Sequence, residues 1–244
     1  MHARVTLQTR LFSKKHLNPM SQARIIPPLA LPGTLALIWF VPQSLLLVLL
    51  LPLFWFAVYR PFDRHDLLVF LVAGLFITIQ NYLVLRTGAF VFTQQDFLLM
   101  PYYEPLLWGF YFLSLKRFFA HQEQVRRLEW RAIAGLVLIS LAFGLFSGTI
   151  WHSAAVFAAT GFLLVLFHTG GDLSHGLYAL AMGFVVELFG VSTGQWHYPN
   201  PDILGIPYWF APMWISVGIL GRRLLFPLVR FIDQRLPVQG SQRQ

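Results

Sequence analysis

The sequence predicts an all-α, polytopic integral membrane helical bundle of about eight transmembrane helices, arranged as a parallel 4+4 tandem repeat. Three observations carry that prediction. Only 11% of the 244 residues are charged and 57% are apolar, with mean hydropathy +0.61, whereas soluble domains carry about 25% charged residues. The few cations gather at the ends of long uncharged stretches, where the positive-inside rule places them. Finally, the chain matches itself at a fixed offset of 106 residues, the mark of an internal repeat.

The elements follow in order. Residues 1–24 hold Arg4, Arg10, Lys14, Lys15 and Arg24 and no acid, and read as a basic cytoplasmic tail, with an organellar presequence as the alternative. No short apolar region with a small-residue cleavage site follows, so no cleaved signal peptide is expected. The 35 residues between Arg24 and Arg60 carry no charge. As one helix they would run about 52 Å, well beyond a hydrocarbon core of about 30 Å. They must turn back, and Val41-Pro42-Gln43-Ser44 is the expected turn because Pro42 disfavours helix before it. Another 40 uncharged residues lie between Arg131 and Asp172, with Ser147-Gly148-Thr149 as their polar break. Single spans fit the remaining stretches. The helices are expected at 26–40, 45–59, 66–85, 101–119, 131–146, 151–167, 172–191 and 207–227. They divide into repeats over 25–120 and 131–228, joined by a basic linker, 121–130, and followed by a cytoplasmic tail, 229–244.

Loop charges agree with eight spans and with both termini cytoplasmic in a bacterial inner membrane. Arg60, Arg64, Lys116, Arg117, Arg126, Arg127, Arg222 and Arg223 all fall on one side, and the opposite loops hold only Arg86. Asp66–Arg117 lies over Asp172–Arg223 with 12 identities in 52 positions. The informative ones are Asp66/Asp172, Thr87-Gly88/Thr193-Gly194, Asp96/Asp202, Pro101-Tyr102/Pro207-Tyr208, Trp108/Trp214 and Arg117/Arg223. Four helices per unit keep both halves in one orientation, which makes the repeat parallel. Gly88 and Gly194 suit left-handed helix ends. Pro101 and Pro207 suit first helical turns. Asp66 and Asp172 suit helix caps.

Composition also excludes. Zero cysteines remove disulfides, thiolate zinc sites and cysteine nucleophiles. The net charge of +8 is scattered over helix ends, so no nucleic acid partner is expected. His168, Asp172 and His175 have helical ligand spacing, but no second histidine pair accompanies them, so no metal is expected. No phosphate-binding loop or serine elbow is present, and no cofactor is implied. No motif encodes an oligomeric state.

Acids inside spans are costly and single themselves out. Glu187 lies near the outer end of the seventh helix, opposite Asn81 in the repeat. Glu104 lies one turn into the fourth, opposite Phe210. With His197 and the aromatics Tyr102, Tyr103, Trp196, Tyr198 and Trp209, these residues are expected to form one outer site. Glu187–Trp214, with its Thr-Gly-Gln-Trp-His-Tyr run and Gly-Ile-Pro-Tyr-Trp, and Thr87–Trp108 resemble the membrane carotenoid (lycopene) cyclase and carotenoid hydratase-type family. That resemblance implies protonation chemistry on an apolar isoprenoid or carotenoid-like lipid. Of the family's Pro-x-Glu-Glu element, Pro101-Tyr102-Tyr103-Glu104 keeps the second glutamate and Pro207-Tyr208-Trp209-Phe210 keeps none. Glu104 would donate the proton, with Glu187 and His197 orienting or accepting it. Asn81, Tyr102, Tyr103, Trp196, Tyr198 and Trp209 would line the substrate, their ring faces stabilising a cation. Two other readings use the same residues: a small-solute or proton-coupled transporter, and a non-catalytic membrane assembly protein whose acids pair helices.

Overall fold

The computed structural model describes residues 19–236, with side chains from residue 27 onward. Most of the expected basic tail, and residues 237–244 of the other tail, lie outside that range. Among the described residues the chain is a bundle of helices: α1 (Pro19–Phe40), α2 (Ser44–Val58), α3 (Arg64–Leu85), α4 (Glu104–Phe118), α5 (Trp130–Phe146), α6 (His152–Leu166), α7 (Gly170–Ser192) and α8 (Phe210–Leu220). A π-helical turn, Gly221–Leu225, carries α8 into α9 (Phe226–Arg235). Two short strands, β1 (Val91–Phe92) and β2 (Trp196–His197), pair antiparallel. The chain turns at 41–43 and 147–151, at the Pro42 and Gly148 breaks. By length and apolarity, α3 and α7 are each able to cross a membrane.

Packing follows small residues. α3 lies on α4 and α7 on α8. A Cβ at Gly109 would stand 2.6 Å from the Phe70 carbonyl oxygen, and one at Gly218 would overlap that of His175. Each pair of helices is thus in backbone contact, a spacing that larger side chains would forbid. α1 packs on α2 and α5 on α6, and each of these hairpins packs in turn on α4 or α8.

One end of the bundle is held by ions. Asp63 and Asp66 form a reciprocal capping box at the start of α3, as Thr169 and Asp172 do at the start of α7. The aspartates do more than cap. Asp66 is buried against Lys116, at 2.7 Å, and Arg117. Asp172, fully buried, takes Arg222 at 2.6 Å and Arg223 at 2.7 Å. Arg223 also reaches Glu129 at 2.9 Å, and Arg222 donates to the Glu123 carbonyl at 3.2 Å. The linker between α4 and α5 is thereby tied to the second cluster. The expected tail from 229 onward runs as helix as far as Arg235 and docks on α3, with Arg64 and Asp233 paired at 3.0 Å.

The opposite end holds the strands and two similar loops. Gly88 and Gly194 end their helices at φ 73° and 71°. Tight turns then bridge Phe97 to Met100 and Ile203 to Ile206. Pro101 and Pro207 lie in turns ahead of α4 and α8, not inside them. The N–H groups of Tyr102 and Tyr208 go to the Asp96 and Asp202 carboxylates at 3.3 and 2.7 Å, which delays helix entry to Glu104 and Phe210.

Asp172→Ala leaves the largely buried Arg222 guanidinium without its anion and Arg223 with Glu129 alone. It is expected to destabilise the purified protein by about 3–5 kcal/mol, read as a lowered unfolding midpoint in detergent. A loss below about 0.5 kcal/mol would mean the cluster is a solvated surface contact.

Candidate functional site

The structure brings Asn81, Glu104, Glu187, Trp196, Tyr198 and Trp209 onto the wall of one cavity between the two halves. Together with open solvent at its mouth, the atom-free space comes to about 1180 Å³. Glu104 reaches it because the Pro101 turn starts α4 there, and Asn81 on α3 donates to its Oε1 at 3.3 Å. Glu187, one turn from the end of α7, is held differently. Its Oε2 accepts from Trp196 Nε1 at 2.8 Å and from the Tyr198 hydroxyl at 2.6 Å.

Local geometry explains which side chains arrive. Trp196 on β2 and Tyr198 just after it turn inward, while His197 between them turns outward and is exposed. That placement separates His197 from the two glutamates it was expected to serve. Tyr102 is 46% exposed and stands outside the cavity. Tyr103 is buried behind it, where its hydroxyl donates to Gln195 Oε1 at 3.2 Å. Trp196 fits against α7 only because position 190 is glycine, where a Cβ would overlap its ring. His168 is exposed, while His175 donates from Nδ1 to the Gly171 carbonyl at 2.7 Å and stacks on Phe119 at 4.1 Å. Among the described residues no three His, Asp or Glu side chains converge as a metal site.

Several wall residues take on their role only in three dimensions. Trp108 and Trp214, 106 positions apart, stack at 5.4 Å with rings 21° from parallel. Their indole N–H groups approach Glu104 and Glu187 respectively but complete no hydrogen bond, and the buried Tyr111 hydroxyl makes none. The offset match singled out the tryptophans, yet their meeting across the halves needs tertiary structure. Further from the acids, Leu136, Ile139, Leu220, Leu224 and Leu225 make an apolar wall. The cavity therefore has a polar, aromatic end and an aliphatic end, the usual layout of a site for an amphiphile.

No family model matches the chain, and no curated protein does. Two solved structures do resemble it, both of MvINS, a mycobacterial Insig homologue from Mycobacterium vanbaalenii. One is the protein itself, at 20% identity and TM-score 0.58, and the other a cross-linked trimer of a variant, at 21% and 0.58. Each match covers 73% of this chain and all of the MvINS chain. The likeness extends to the fold. It overturns the resemblance to carotenoid cyclases, because the shared Thr-Gly, aromatic and Pro-Tyr motif describes a helix end, a strand and a turn rather than a reaction.

Tyr198→Phe removes one of the two donors on Glu187 and is expected to destabilise the protein by about 1–3 kcal/mol. His197→Ala, at the adjacent but outward-facing position, is expected to stay within about 0.5 kcal/mol. Thermal unfolding of the two variants side by side checks the pair. The reverse order would contradict the assigned strand orientation.

Proposed function

We propose that the protein spans the membrane and holds one apolar, lipid-like molecule in its central cavity without transforming it. The observation that carries this is the cavity itself: a mostly apolar chamber with Asn81, Glu104 and Glu187 among its aromatic rings and Gln80, Ser140 and Ser216 as its other polar wall groups. Support for the membrane comes from α3, where Leu67, Leu71, Leu75, Ile79 and Leu83 form a stripe at four-residue spacing, each between 43% and 68% exposed. An outward apolar stripe on a helix whose other face is already packed fits lipid and not water. The positions of the cations favour the ion-paired end as cytoplasmic, with both termini on that side.

Binding is favoured over conversion by what the acids touch. Glu187 is engaged by two donors and Glu104 by Asn81, and His197 faces away from both. Of the proton relay expected from the sequence, Glu104 and Glu187 share the cavity wall and His197 does not. The non-catalytic reading, with carboxyls serving to hold helices and a ligand, fits this arrangement better than an acid–base enzyme.

We also read the bundle as a duplicated four-helix unit with its two-fold axis along the membrane normal. Supporting this, Val91 pairs with His197 across β1 and β2, and Trp108 stacks on Trp214, each pair being 106 positions apart. The two aspartate clusters and the two loop turns repeat at the same offset. The ligand groups do not. Glu187 replaces Asn81, Phe210 replaces Glu104, and Trp196 and Tyr198 replace Phe90 and Phe92. A symmetric frame thus carries a polar end of asymmetric chemistry.

Protein extracted in mild detergent is expected to carry a bound lipid, seen by mass spectrometry of the intact complex. Ile139→Trp, which fills the aliphatic end, is expected to lose most of it while still unfolding cooperatively. A wild-type protein that is folded and free of any lipid would contradict this function.

A further inference from the structure

The polar end of the cavity is unbalanced, and the imbalance names a head group; this step rests on the lipid-holding reading above. Two carboxyl groups, Glu104 and Glu187, face the chamber, and among the described residues lining it none is Arg, Lys or His. The cations nearest in the sequence are engaged at the other end of the bundle, where Lys116 and Arg117 hold Asp66 while Arg222 and Arg223 hold Asp172. A buried acid with no counter-charge is unfavourable as an ion, and a ligand that brings the cation relieves it.

The walls suit a cation too. The rings of Trp108, Tyr111, Trp209 and Trp214 line the same end, and aromatic rings are the usual surroundings for a bound ammonium. One further demand remains. The buried Tyr111 hydroxyl completes no hydrogen bond, and the buried indole N–H groups of Trp108 and Trp214 point toward Glu104 and Glu187 without closing one. An oxygen beside the charge would take them up, since unsatisfied buried donors are costly.

We propose that the cavity takes a long-chain amino alcohol: an ammonium placed between Glu104 and Glu187, a neighbouring hydroxyl accepting from the tryptophan and tyrosine donors, and a hydrocarbon chain along Leu136, Ile139, Leu220 and Leu224. A plain alcohol answers the donors but leaves both acids without a counter-charge. A fatty acid adds a third carboxyl to the two present.

The test uses the full chain in phosphatidylcholine nanodiscs, titrated with sphinganine, 1,2-octadecanediol or stearic acid, and followed by tryptophan fluorescence. Sphinganine is expected to bind roughly tenfold or more tighter than the diol, and stearic acid weakest. Glu104→Gln and Glu187→Gln should each reduce the ratio of sphinganine affinity to diol affinity toward one. Equal affinity of the wild-type protein for sphinganine and the diol overturns the head-group assignment and leaves the lipid-holding reading standing. Saturable binding by none of the three overturns both. The wild-type comparison decides the matter even where a variant fails to fold.

Discussion

A carboxylate buried at the end of an apolar helix is tolerated only when cations surround it, and this bundle depends on two such arrangements. Asp66 draws the far end of α4 onto the start of α3, and Asp172 draws the π turn after α8 onto the start of α7. Each aspartate caps its own helix and pins the next one antiparallel to it. The charge-assisted bonds are directional, so they also set the rotation of α4 and α8. That rotation turns Glu104, Trp108 and Trp214 toward the centre. The ion-paired end thereby positions the polar groups at the opposite end.

The two ends differ in kind. At the ion-paired end the halves are alike in chemistry: aspartate, two consecutive cations, a capping box. At the cavity end they share backbone geometry but not side chains. Glu187 finds Trp196 and Tyr198, whereas the equivalent Asn81 finds Glu104. Gly190 makes room for an indole where the first half has Val84 at the matching position. On the duplicated-unit reading proposed above, the two segments hold scaffold residues in common and differ in the residues facing the chamber.

Much of the frame is legible in the sequence because bilayer thickness and charge placement limit the choices. Uncharged stretches too long for one span had to fold back, and they do so at Pro42 and Gly148. What stayed hidden were contacts between distant residues. Lys116, Arg117, Arg222 and Arg223 read as topology markers, yet they are partners of aspartates some 50 positions away. His197 read as part of the site because Trp196 and Tyr198 flank it. A two-residue strand is too short to display the alternation that turns it outward. The aromatic and Thr-Gly motifs suggested a reaction because they recur, but their recurrence reflects a loop shape. Three unpaired donors around the acids had no signature at all, since a missing hydrogen bond exists only once the neighbours are in place.

If the central chamber is a ligand site, a density map of the protein purified with its native membrane lipids, without added detergent, should show it. One elongated density is expected in the chamber, its head within hydrogen-bonding distance of Glu104 and Glu187 and its tail along Ile139 and Leu224. A chamber collapsed by inward movement of α5, or filled only with ordered water, would contradict it.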